Sequence, residues 1–403
     1  MSIDVLVLNT AVTDFRGDFP FADKLVGKGG LAKCRTEDMP PYTQEQFFEW
    51  TKKRKKVTAG GPGNAAPPMA RAGLDVGVCA VLGKGDYSGL DAQGSFFYDV
   101  MAENGVDRSH LYIHPTLPTG TTFIHELPGN ERGGIAYFPN ANNDFSFEEA
   151  KRAVADLKPK IVYYMYSGLS DRGDANQGKD LAEFMRWCRL KHNCIVIADS
   201  HTLTGDVEGV IKSGRPVEEY KLLTPLLPEL DLFFTSYDEA RMIGNTLDGY
   251  PTLRDDSGRT AYICNFLDSL IGKNITADRH RNRLFGLTVK NGAFFTSDFS
   301  FSRHNPRKVS SRFMVEGVND LVGAGDSFRA GLLTYIAKHV DKFRAGELDF
   351  NEAVQMGNLF ATLYIVAPLD DRYCNIQPYR KMLGVARNGK NYARLDDLKA
   401  DLA

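Results

Sequence analysis

The chain has 403 residues, and its 49 Lys and Arg against 51 Asp and Glu give a formal net charge of −2, which argues against a general nucleic-acid binder. Its hydrophobic content of 43% and charged content of 25% are ordinary for globular proteins and exclude disordered and fibrous classes. No apolar run approaches the ~20 residues of a membrane span, and six separated cysteines without a C-x-x-C pair predict a cytoplasmic protein.

Continuous apolar runs of strand length recur along most of the chain. They occupy residues 5–8, 76–82, 161–166, 194–198, 230–235 and 284–289. Such runs are typical of strands that are buried on both faces. Helix-like stretches at 96–104 and 178–192 lie between them, and two helical stripes follow at 328–340 and 353–366. This alternation predicts an α/β fold with a mainly parallel sheet covered by helices on both sides.

Three segments interrupt this alternation. Residues 15–58 are glycine-rich and then basic, and residues 118–139 contain two strand patterns around a Pro128-Gly129-Asn130 turn. We predict that both segments form a small lid on one domain that spans residues 1–403. Residues 245–283 are long and polar for a loop, and we predict an insertion that contains a helix around 263–270.

The most informative stretch places two glycines and an aspartate directly before an amphipathic helix, from Gly323 to Asp326. Small residues let backbone N–H groups approach a ligand, and a helix start adds a positive dipole end. The turn is therefore a candidate phosphate site. A carboxylate repels phosphate but accepts protons, so Asp326 is a candidate base for an attacking hydroxyl. The alternative is a simple aspartate N-cap.

A second glycine cluster at residues 59–66 precedes a short helical stretch. Its Asn64 offers a donor and an acceptor to a polyhydroxyl ligand, although the cluster alone is also compatible with a turn. Ligands of open parallel sheets bind beyond the carboxyl ends of the strands. Asp14, Asp199 and the turn at 83–86 follow predicted strands and are further candidates, whereas His201 is assigned no role.

The sequence Gly323-Ala324-Gly325-Asp326, preceded by Asp320, resembles the D-T-x-G-A-G-D signature of the ribokinase-like (PfkB) carbohydrate kinase family. Ser327-Phe328 continues the similarity. Leu321 stands where that family usually has Thr. Because a hydroxyl is missing there, we predict weak or absent activation by potassium.

Further motifs follow the order of that family. Asn64, with Gly73 nine residues later, is similar to its G-G-x-x-x-N element and the A-R-x-G after it, and Asp14 falls where the family has its first substrate-binding aspartate. Gly83-Lys84-Gly85-Asp86 and Gly105-Val106-Asp107 resemble the next landmarks. The resemblance implies a ribokinase-like three-layer α/β/α fold with a mainly parallel central sheet and a small β lid.

The resemblance implies an ATP-dependent kinase that phosphorylates a hydroxymethyl group of a sugar or sugar-derived molecule, with Mg²⁺ accompanying ATP. Asp326 would be the catalytic base, and Gly323, Ala324 and Gly325 would form the anion hole. Asp14, Gly60 and Asn64 would bind the substrate. Asn358, Ser236, Glu239 and Thr288 would lie near the nucleotide, with Ser236 and Glu239 replacing the N-x-x-E of the family. The lid would offer a homodimer surface.

Several alternatives stay open at this point. A nucleoside (adenosine-like) kinase or a sugar-phosphate kinase would carry the same motifs. A binding protein without turnover would keep the fold, and an NAD-dependent oxidoreductase is suggested by short glycine patterns at 27–32 and 83–88, while no Walker A motif occurs. The basic run from Lys52 to Lys56 either faces solvent or meets an anionic group.

Overall fold

A computed structural model describes residues 2–19, 26–40, 44–85, 89–127, 131–274, 282–299 and 302–403. Strands β1–β14 are Val5–Leu8, Val12–Gly17, Leu31–Lys33, Val57–Gly60, Val76–Gly83, Asp107–His114, Gly120–Leu127, Glu131–Phe138, Ile161–Ser167, Ile195–Ser200, Leu232–Ser236, Arg283–Val289, Gly292–Phe299 and Ser302–Ser310. Helices α1–α14 are Gln44–Lys53, Pro62–Arg71, Ala92–Glu103, Phe147–Leu157, Lys179–His192, Val207–Ser213, Leu223–Leu226, Tyr237–Thr246, Arg259–Lys273, Ala324–Lys338, Val340–Ala345, Phe350–Ile365, Tyr379–Arg387 and Leu395–Leu402.

Nine strands form the central sheet in the order β14-β13-β12-β11-β10-β9-β1-β5-β6. Neighbouring strands from β12 to β6 pair in parallel, whereas β12, β13 and β14 pair antiparallel at one edge. The six apolar runs of the sequence correspond to β1, β5, β9, β10, β11 and β12, with ends shifted by two residues or fewer. The predicted mainly parallel sheet is therefore confirmed.

Helices cover both faces of this sheet because successive strand residues point to opposite sides. Val5 and Val7 of β1 belong to one apolar core, which α2, α3, α10 and α12 complete. Leu6 and Leu8 belong to a second core, with α4, α5, α8 and α9. Two cores on one sheet make three layers, and the predicted α/β/α fold class is confirmed.

A second sheet of five strands, in the order β3-β8-β7-β2-β4, forms the small β lid. Its strands come from residues 12–60 and 120–138, and β7 and β8 are the antiparallel pair predicted within 118–139. The predicted turn at 128–130 lies outside the described residues, as do 20–25 and 41–43. An aromatic cluster that includes Phe15, Phe48, Phe123 and Phe138 stabilises the lid.

The segment 245–283 contains α9, which includes the helix predicted at 263–270 and buries Phe266 and Leu270 in the second core. Residues 275–281 lie outside the described part. The hairpin of β13 and β14 was not predicted from the sequence. Over the ranges that the structure describes, every helix is too short or too polar to cross a lipid bilayer.

Candidate active site

The glycine turn at the start of α10 has the geometry of an anion site. Gly323 is the N-cap of α10 and has a φ of 84°, and no side chain caps this helix. A Cβ at Gly323 would lie 2.9 Å from the ring of Tyr364, so the position requires glycine. The Ala324 N–H donates to the Leu321 carbonyl over 3.2 Å, and the other uncapped N–H groups of the first turn are available to a negatively charged group.

Two cavities meet at this turn. Gly323 and Asp326 line the first, together with lid residues, and we call it the lid cavity. Ala324 and Gly325 line the second, which β12, α10 and α12 surround, and we call it the open cavity. Because the turn 323–326 contributes two residues to each cavity, a group held at the helix start lies between a ligand in one cavity and a ligand in the other.

The lid cavity is small and mostly apolar. Its volume is about 60 Å³, far below the roughly 300–1,000 Å³ of common ligand pockets. Leu31, Ile124 and Ile135 of the lid sheet form its roof. None of its described lining residues is Lys or Arg. Any ligand that enters is expected to move the lid, and its binding groups must be uncharged or able to donate hydrogen bonds.

Asp14 supplies a buried carboxylate to the lid cavity from β2. Its Oδ1 accepts a hydrogen bond of 2.5 Å from the Thr122 hydroxyl. Burial raises the pKa of Asp14, and Arg16 opposes this effect. Gly60 lies behind Asp14, where a Cβ would come within 2.5 Å of Oδ2. Gly60 therefore makes room for the carboxylate, while its neighbour Gly61 lines the cavity.

A buried charge cluster joins the lid to the glycine turn. Arg16 of β2 donates from Nε to Asp320 over 2.8 Å, and Arg372 donates from Nη2 to the Val322 carbonyl over 2.7 Å. Burial acts to raise the pKa of Asp320, but Arg16 and Arg372 outweigh burial and lower it. The position of the lid strand is thereby coupled to the loop that carries Gly323.

Asn64 of α2 is directed at the candidate base. Its Nδ2 donates to Oδ2 of Asp326 over 3.0 Å, and its Oδ1 accepts a 2.5 Å hydrogen bond from the Tyr364 hydroxyl. Asn64 also lines the lid cavity. Its most direct contact is with Asp326, and the predicted contact with substrate hydroxyls stays a prediction.

Asp326 is buried in the first turn of α10. Besides the hydrogen bond from Asn64, its carboxylate accepts hydrogen bonds from two further side chains. Tyr166 donates to Oδ2 over 2.5 Å, and Arg329 donates to Oδ1 over 3.2 Å. Burial raises the pKa of Asp326 to about 7, against the lowering effect of Arg329. A carboxyl group that changes its ionisation near neutral pH is well suited to general base catalysis.

The open cavity has a volume of about 400 Å³ and mainly apolar walls. Met314, Val318 and Leu321 lie on these walls and are exposed. Thr288 and Asn358, both predicted to lie near a nucleotide, line this cavity and provide polar groups. Its size and composition suit a flat heterocycle with a phosphate tail that points to the helix start.

Ser236 and Glu239, the other two predicted nucleotide residues, cap α8. Ser236 Oγ accepts from the Glu239 N–H, and Glu239 Oε2 accepts from the Ser236 N–H over 2.9 Å. Glu239 Oε2 also accepts from the Thr235 hydroxyl. Ser236 pairs with Thr288 across β11 and β12. Both residues thus lie at the strand ends near the open cavity without lining it.

The fit of the site to Mg²⁺ depends on its carboxylates. Within the described ranges, no group of three or more His, Cys, Asp or Glu side chains is arranged to hold a metal ion. Mg²⁺ commonly binds through substrate phosphates, water and only one or two carboxylates. The residues present are compatible with Mg²⁺ that arrives on a nucleotide.

The basic run 52–56 does not reach the lid cavity. Lys52 and Lys55 line a third cavity on the other side of β4. Lys55 pairs with Asp370 over 2.7 Å, and Lys56 pairs with Glu126 over 2.7 Å. The run therefore contacts protein carboxylates and gives no support for binding of a sugar phosphate. In the turn at 83–86, Asp86 lies outside the described residues.

Sequence reasoning missed Tyr166, Arg329 and Tyr364. Tyr166 lines the lid cavity, Arg329 forms an ion pair with Asp199 next to Asp326, and Tyr364 holds Asn64. Asp199 was a candidate because it follows a predicted strand, and His201, which was assigned no role, lines the lid cavity. Tyr166 ends an apolar run. Arg329 lies within a helix pattern and gave no signal.

The comparisons with known proteins agree with this geometry. The family model described as pfkB family carbohydrate kinase matches residues 48–242. A probable sugar kinase from Rhizobium etli is 16% identical with a TM-score of 0.56, covering 92% of this chain and 98% of that chain. Adenosine kinase from Schistosoma mansoni in complex with 2-fluoroadenosine is 16% identical with a TM-score of 0.61, covering 90% and 95%. Adenosine kinase from Sinorhizobium meliloti is 17% identical with a TM-score of 0.58, covering 92% and 98%.

No curated protein sequence matches the chain. At these identities, the solved structures establish the ribokinase-like fold. The residues matched by the family model begin within α1, include the second glycine cluster at 59–66 and end within α8. The glycine turn and Asp326 lie outside the matched residues, at the start of α10. The resemblance seen in the motifs is confirmed: the pfkB family model matches residues 48–242, and the solved sugar and adenosine kinases share the fold of this chain.

Proposed function

We propose that this protein is an ATP-dependent kinase that phosphorylates a hydroxymethyl group of a neutral sugar or nucleoside. The observation that carries the proposal is the turn 323–326, which separates two cavities and presents an uncapped helix start between them. A donor in the open cavity and an acceptor in the lid cavity would both contact this turn. Such an arrangement suits in-line transfer of a phosphoryl group.

Each part of the turn has a separate role in this mechanism. Asp326 accepts the proton of the acceptor hydroxyl as that oxygen attacks the terminal phosphorus of ATP, and ADP leaves when the bond from this phosphorus to the bridging oxygen breaks. The N–H groups at Gly323 and Gly325, together with that of Ala324 once it is released from the Leu321 carbonyl, stabilise the negative charge on the phosphoryl oxygens. Mg²⁺ supplies further charge neutralisation when it is bound to the nucleotide. Closure of the lid excludes water, which would otherwise compete as the acceptor.

Asp14 is proposed to select the acceptor. Its buried carboxylate is able to accept hydrogen bonds from hydroxyl groups in the lid cavity, in addition to the one from Thr122. The absence of Lys and Arg among the described lining residues argues against the sugar-phosphate alternative. A phosphorylated acceptor would bring two negative charges beside Asp14, where the nearby Arg16 and Arg372 are already engaged by Asp320 and the Val322 carbonyl.

A nucleoside is the second candidate acceptor, and one specific observation favours it. Leu31, Ile124, Ile135 and Tyr137 give the lid cavity an apolar wall. A sugar alone presents hydroxyls on most sides, whereas a nucleoside also presents a flat base that suits such a wall. The apolar wall thus favours acceptors that carry an apolar group beside their hydroxyls.

The proposal is tested by mass spectrometry of products after incubation with Mg²⁺ and ATP. The acceptor panel contains neutral pentoses and hexoses, sugar acids, nucleosides and sugar phosphates. We expect a phosphorylated product from a neutral sugar or a nucleoside and none from the sugar phosphates. A failure to consume ATP with every acceptor would support a binding protein instead, and tighter binding of NAD than of ATP would support an oxidoreductase.

Two further expectations accompany this function. All six cysteines are free and three are buried, as suits a reducing compartment, and we propose a cytoplasmic location. A homodimer through the lid sheet stays a prediction from the family resemblance. Size-exclusion chromatography with light scattering would decide it.

A further inference from the structure

Two buried side chains outside the family motifs converge on Asp326. We propose that Arg329 and Tyr166 are positioning residues that fix the Asp326 carboxylate and direct one of its oxygens to the acceptor hydroxyl. This inference rests on the proposed kinase function. It concerns residues to which the glycine motifs assign no role.

Arg329 is held in place from several directions. Its Nη1 donates to Oδ1 of Asp326 over 3.2 Å, and its Nε lies 3.4 Å from Oδ2 of Asp199. Nε and Nη2 also donate to the Phe234 carbonyl over 3.4 Å. The side chain is 8% exposed. One guanidinium therefore lies between two buried carboxylates, and its planar shape fixes their relative positions.

Asp199 connects Arg329 to the second positioning residue. It lies at the end of β10 and is fully buried. Its Oδ2 accepts a 2.6 Å hydrogen bond from the Tyr163 hydroxyl, and its Oδ1 accepts one of 2.6 Å from the Tyr166 backbone N–H. Asp199 therefore holds both the cation beside Asp326 and the backbone of the tyrosine that contacts Asp326.

Tyr166 adopts a backbone conformation that aromatic residues rarely occupy. Its φ is 62°, a left-handed conformation that is strained in residues other than glycine. The hydrogen bond from the Tyr166 N–H to Asp199 holds this backbone, and the phenol then reaches Oδ2 of Asp326 at 2.5 Å. The ring of His201 contacts the ring of Tyr166 edge-on, with 4.7 Å between centroids. The strained conformation therefore places a hydrogen-bond donor at the candidate base.

The two oxygens of Asp326 are left in different states. Oδ2 accepts from both Tyr166 and Asn64, which fills its two lone-pair positions. Oδ1 accepts only from Arg329 among the hydrogen bonds of the described residues. Oδ1 is therefore the oxygen that takes the acceptor proton. After transfer Arg329 keeps its ion pair with Asp199, so the cation is never left unpaired.

The ionisation of Asp326 depends on the groups that surround it. Those with charged or titratable side chains are Arg329 of α10, Asp199 of β10, Tyr163 and Tyr166 of β9, Tyr364 of α12, Asp14 of β2 and His201. Without Arg329, Asp326 and Asp199 would be two buried carboxylates with no cation between them. Asp326 would then keep its proton to higher pH.

The test compares Arg329→Met, Arg329→Lys and Tyr166→Phe with Tyr164→Phe. Tyr164 is the matched control because it is a buried tyrosine of the same strand that packs in the second core. For each protein kcat and both KM values are measured from pH 5.5 to 9. We expect Arg329→Met to lower kcat roughly 100-fold and to move the acid limb of kcat upward by about one pH unit.

Compared with Arg329→Met, Arg329→Lys should regain part of the lost kcat, and its acid limb should lie close to the wild-type pH. The charge remains in this variant, but the fork geometry is lost. Tyr166→Phe should lower kcat about tenfold with a smaller shift in the same direction, since it removes one donor to the ionised form. Tyr164→Phe should leave the limb in place. The KM for ATP should stay within about threefold in all four variants, because no nucleotide contact changes.

An acid limb that stays at the wild-type pH in Arg329→Met and Tyr166→Phe would overturn the inference, whatever happens to kcat. Should Arg329→Met not fold, Arg329→Lys and Tyr166→Phe still report on the limb. A carboxyl ¹³C NMR titration of Asp-labelled protein, with Asp326→Asn identifying the resonance, gives the same comparison without turnover. Failure of the kinase proposal appears separately, as a wild-type protein that phosphorylates nothing.

Discussion

The lid cavity and the open cavity meet at the same helix start but are built in opposite ways. The lid cavity has a volume of about 60 Å³ and contains two buried carboxylates, Asp14 and Asp326. The open cavity has a volume of about 400 Å³. Three of its wall residues, Met314, Val318 and Leu321, are 49%, 37% and 54% exposed.

Under the proposed function, this difference predicts how each ligand would be selected. In the lid cavity, each polar group is already fixed by others, so a change at one position leaves a buried charge without its partner. In the open cavity, exposed apolar side chains would be covered by a ligand. Each would contribute to the binding free energy in proportion to the apolar area that is buried. We therefore expect substitutions in the lid cavity to change kcat or the KM of one ligand strongly. Substitutions in the open cavity should have smaller effects that grow with the apolar area removed.

The largest effect is expected at Asp326, where the two cavities meet. Asp326→Asn keeps the size of the side chain but removes the base, and kcat should fall by roughly 10²–10⁴-fold. ATP binding, measured by calorimetry, should change little because the backbone N–H groups are retained. The exposed Asp341 of α11 provides the control, and Asp341→Asn should keep wild-type turnover. Near-normal kcat in Asp326→Asn would show that another group accepts the proton.

The second expected effect separates the two ligands. Asp14→Ala removes a buried acceptor of hydrogen bonds, each worth about 1.5–3 kcal/mol when charge-assisted, so the acceptor KM should rise tenfold or more. The KM for ATP should be unchanged because Asp14 does not line the open cavity. The melting temperature of the same preparation is measured as well. A loss of stability without a defect specific to the acceptor would mean that Asp14 only supports the lid.

The large elements were predictable because their signals are local. Continuous apolar runs identified six parallel strands of the central sheet, and the glycine motif identified the start of α10. The β13–β14 hairpin was missed. Its residues include Asp298, Arg307 and Lys308, so the segment carries no apolar run as long as those of the parallel strands.

The interior of the site was less predictable because its contacts join distant parts of the chain. Tyr166 is 160 positions from Asp326, and Tyr364 is 300 positions from Asn64. A tyrosine in an apolar run is expected to be a core residue, and nothing local shows that the φ of Tyr166 is positive. Such contacts depend on how the sheet and helices pack, which one sequence does not specify.

A smaller effect is expected from the exposed walls of the open cavity. Met314→Ala removes apolar contact with the nucleotide and should raise the KM for ATP about five- to tenfold, which corresponds to roughly 1–1.4 kcal/mol of lost burial. The fold should be unaffected because Met314 is half exposed in the free protein. Leu190→Ala, at a 57% exposed site on α5, controls for the loss of a surface apolar group. An unchanged KM for ATP would place the base of the nucleotide elsewhere.

The smallest effect concerns the roof of the lid cavity, where the lid contacts the loop after β10. Leu31 N–H donates to the Thr204 carbonyl over 2.9 Å, and Gly27 N–H donates to the Gly205 carbonyl over 2.8 Å. A Cβ at Gly30 would lie 2.5 Å from the Gly205 carbonyl oxygen, which is backbone and has little freedom to move. Gly30→Ala should therefore push the strand away from the loop and admit water to the lid cavity.

We expect Gly30→Ala to increase the ratio of ADP formed to phosphorylated product by roughly three- to tenfold, since water then competes with the acceptor. Both products are counted in the same reaction at saturating acceptor. Gly384→Ala on α13 is the matched control, because a Cβ there meets nothing within 4 Å. If Gly30→Ala lowers only the melting temperature and the ratio stays at its wild-type value, the contact of the lid with the 204–205 loop stabilises the fold but does not exclude water during transfer.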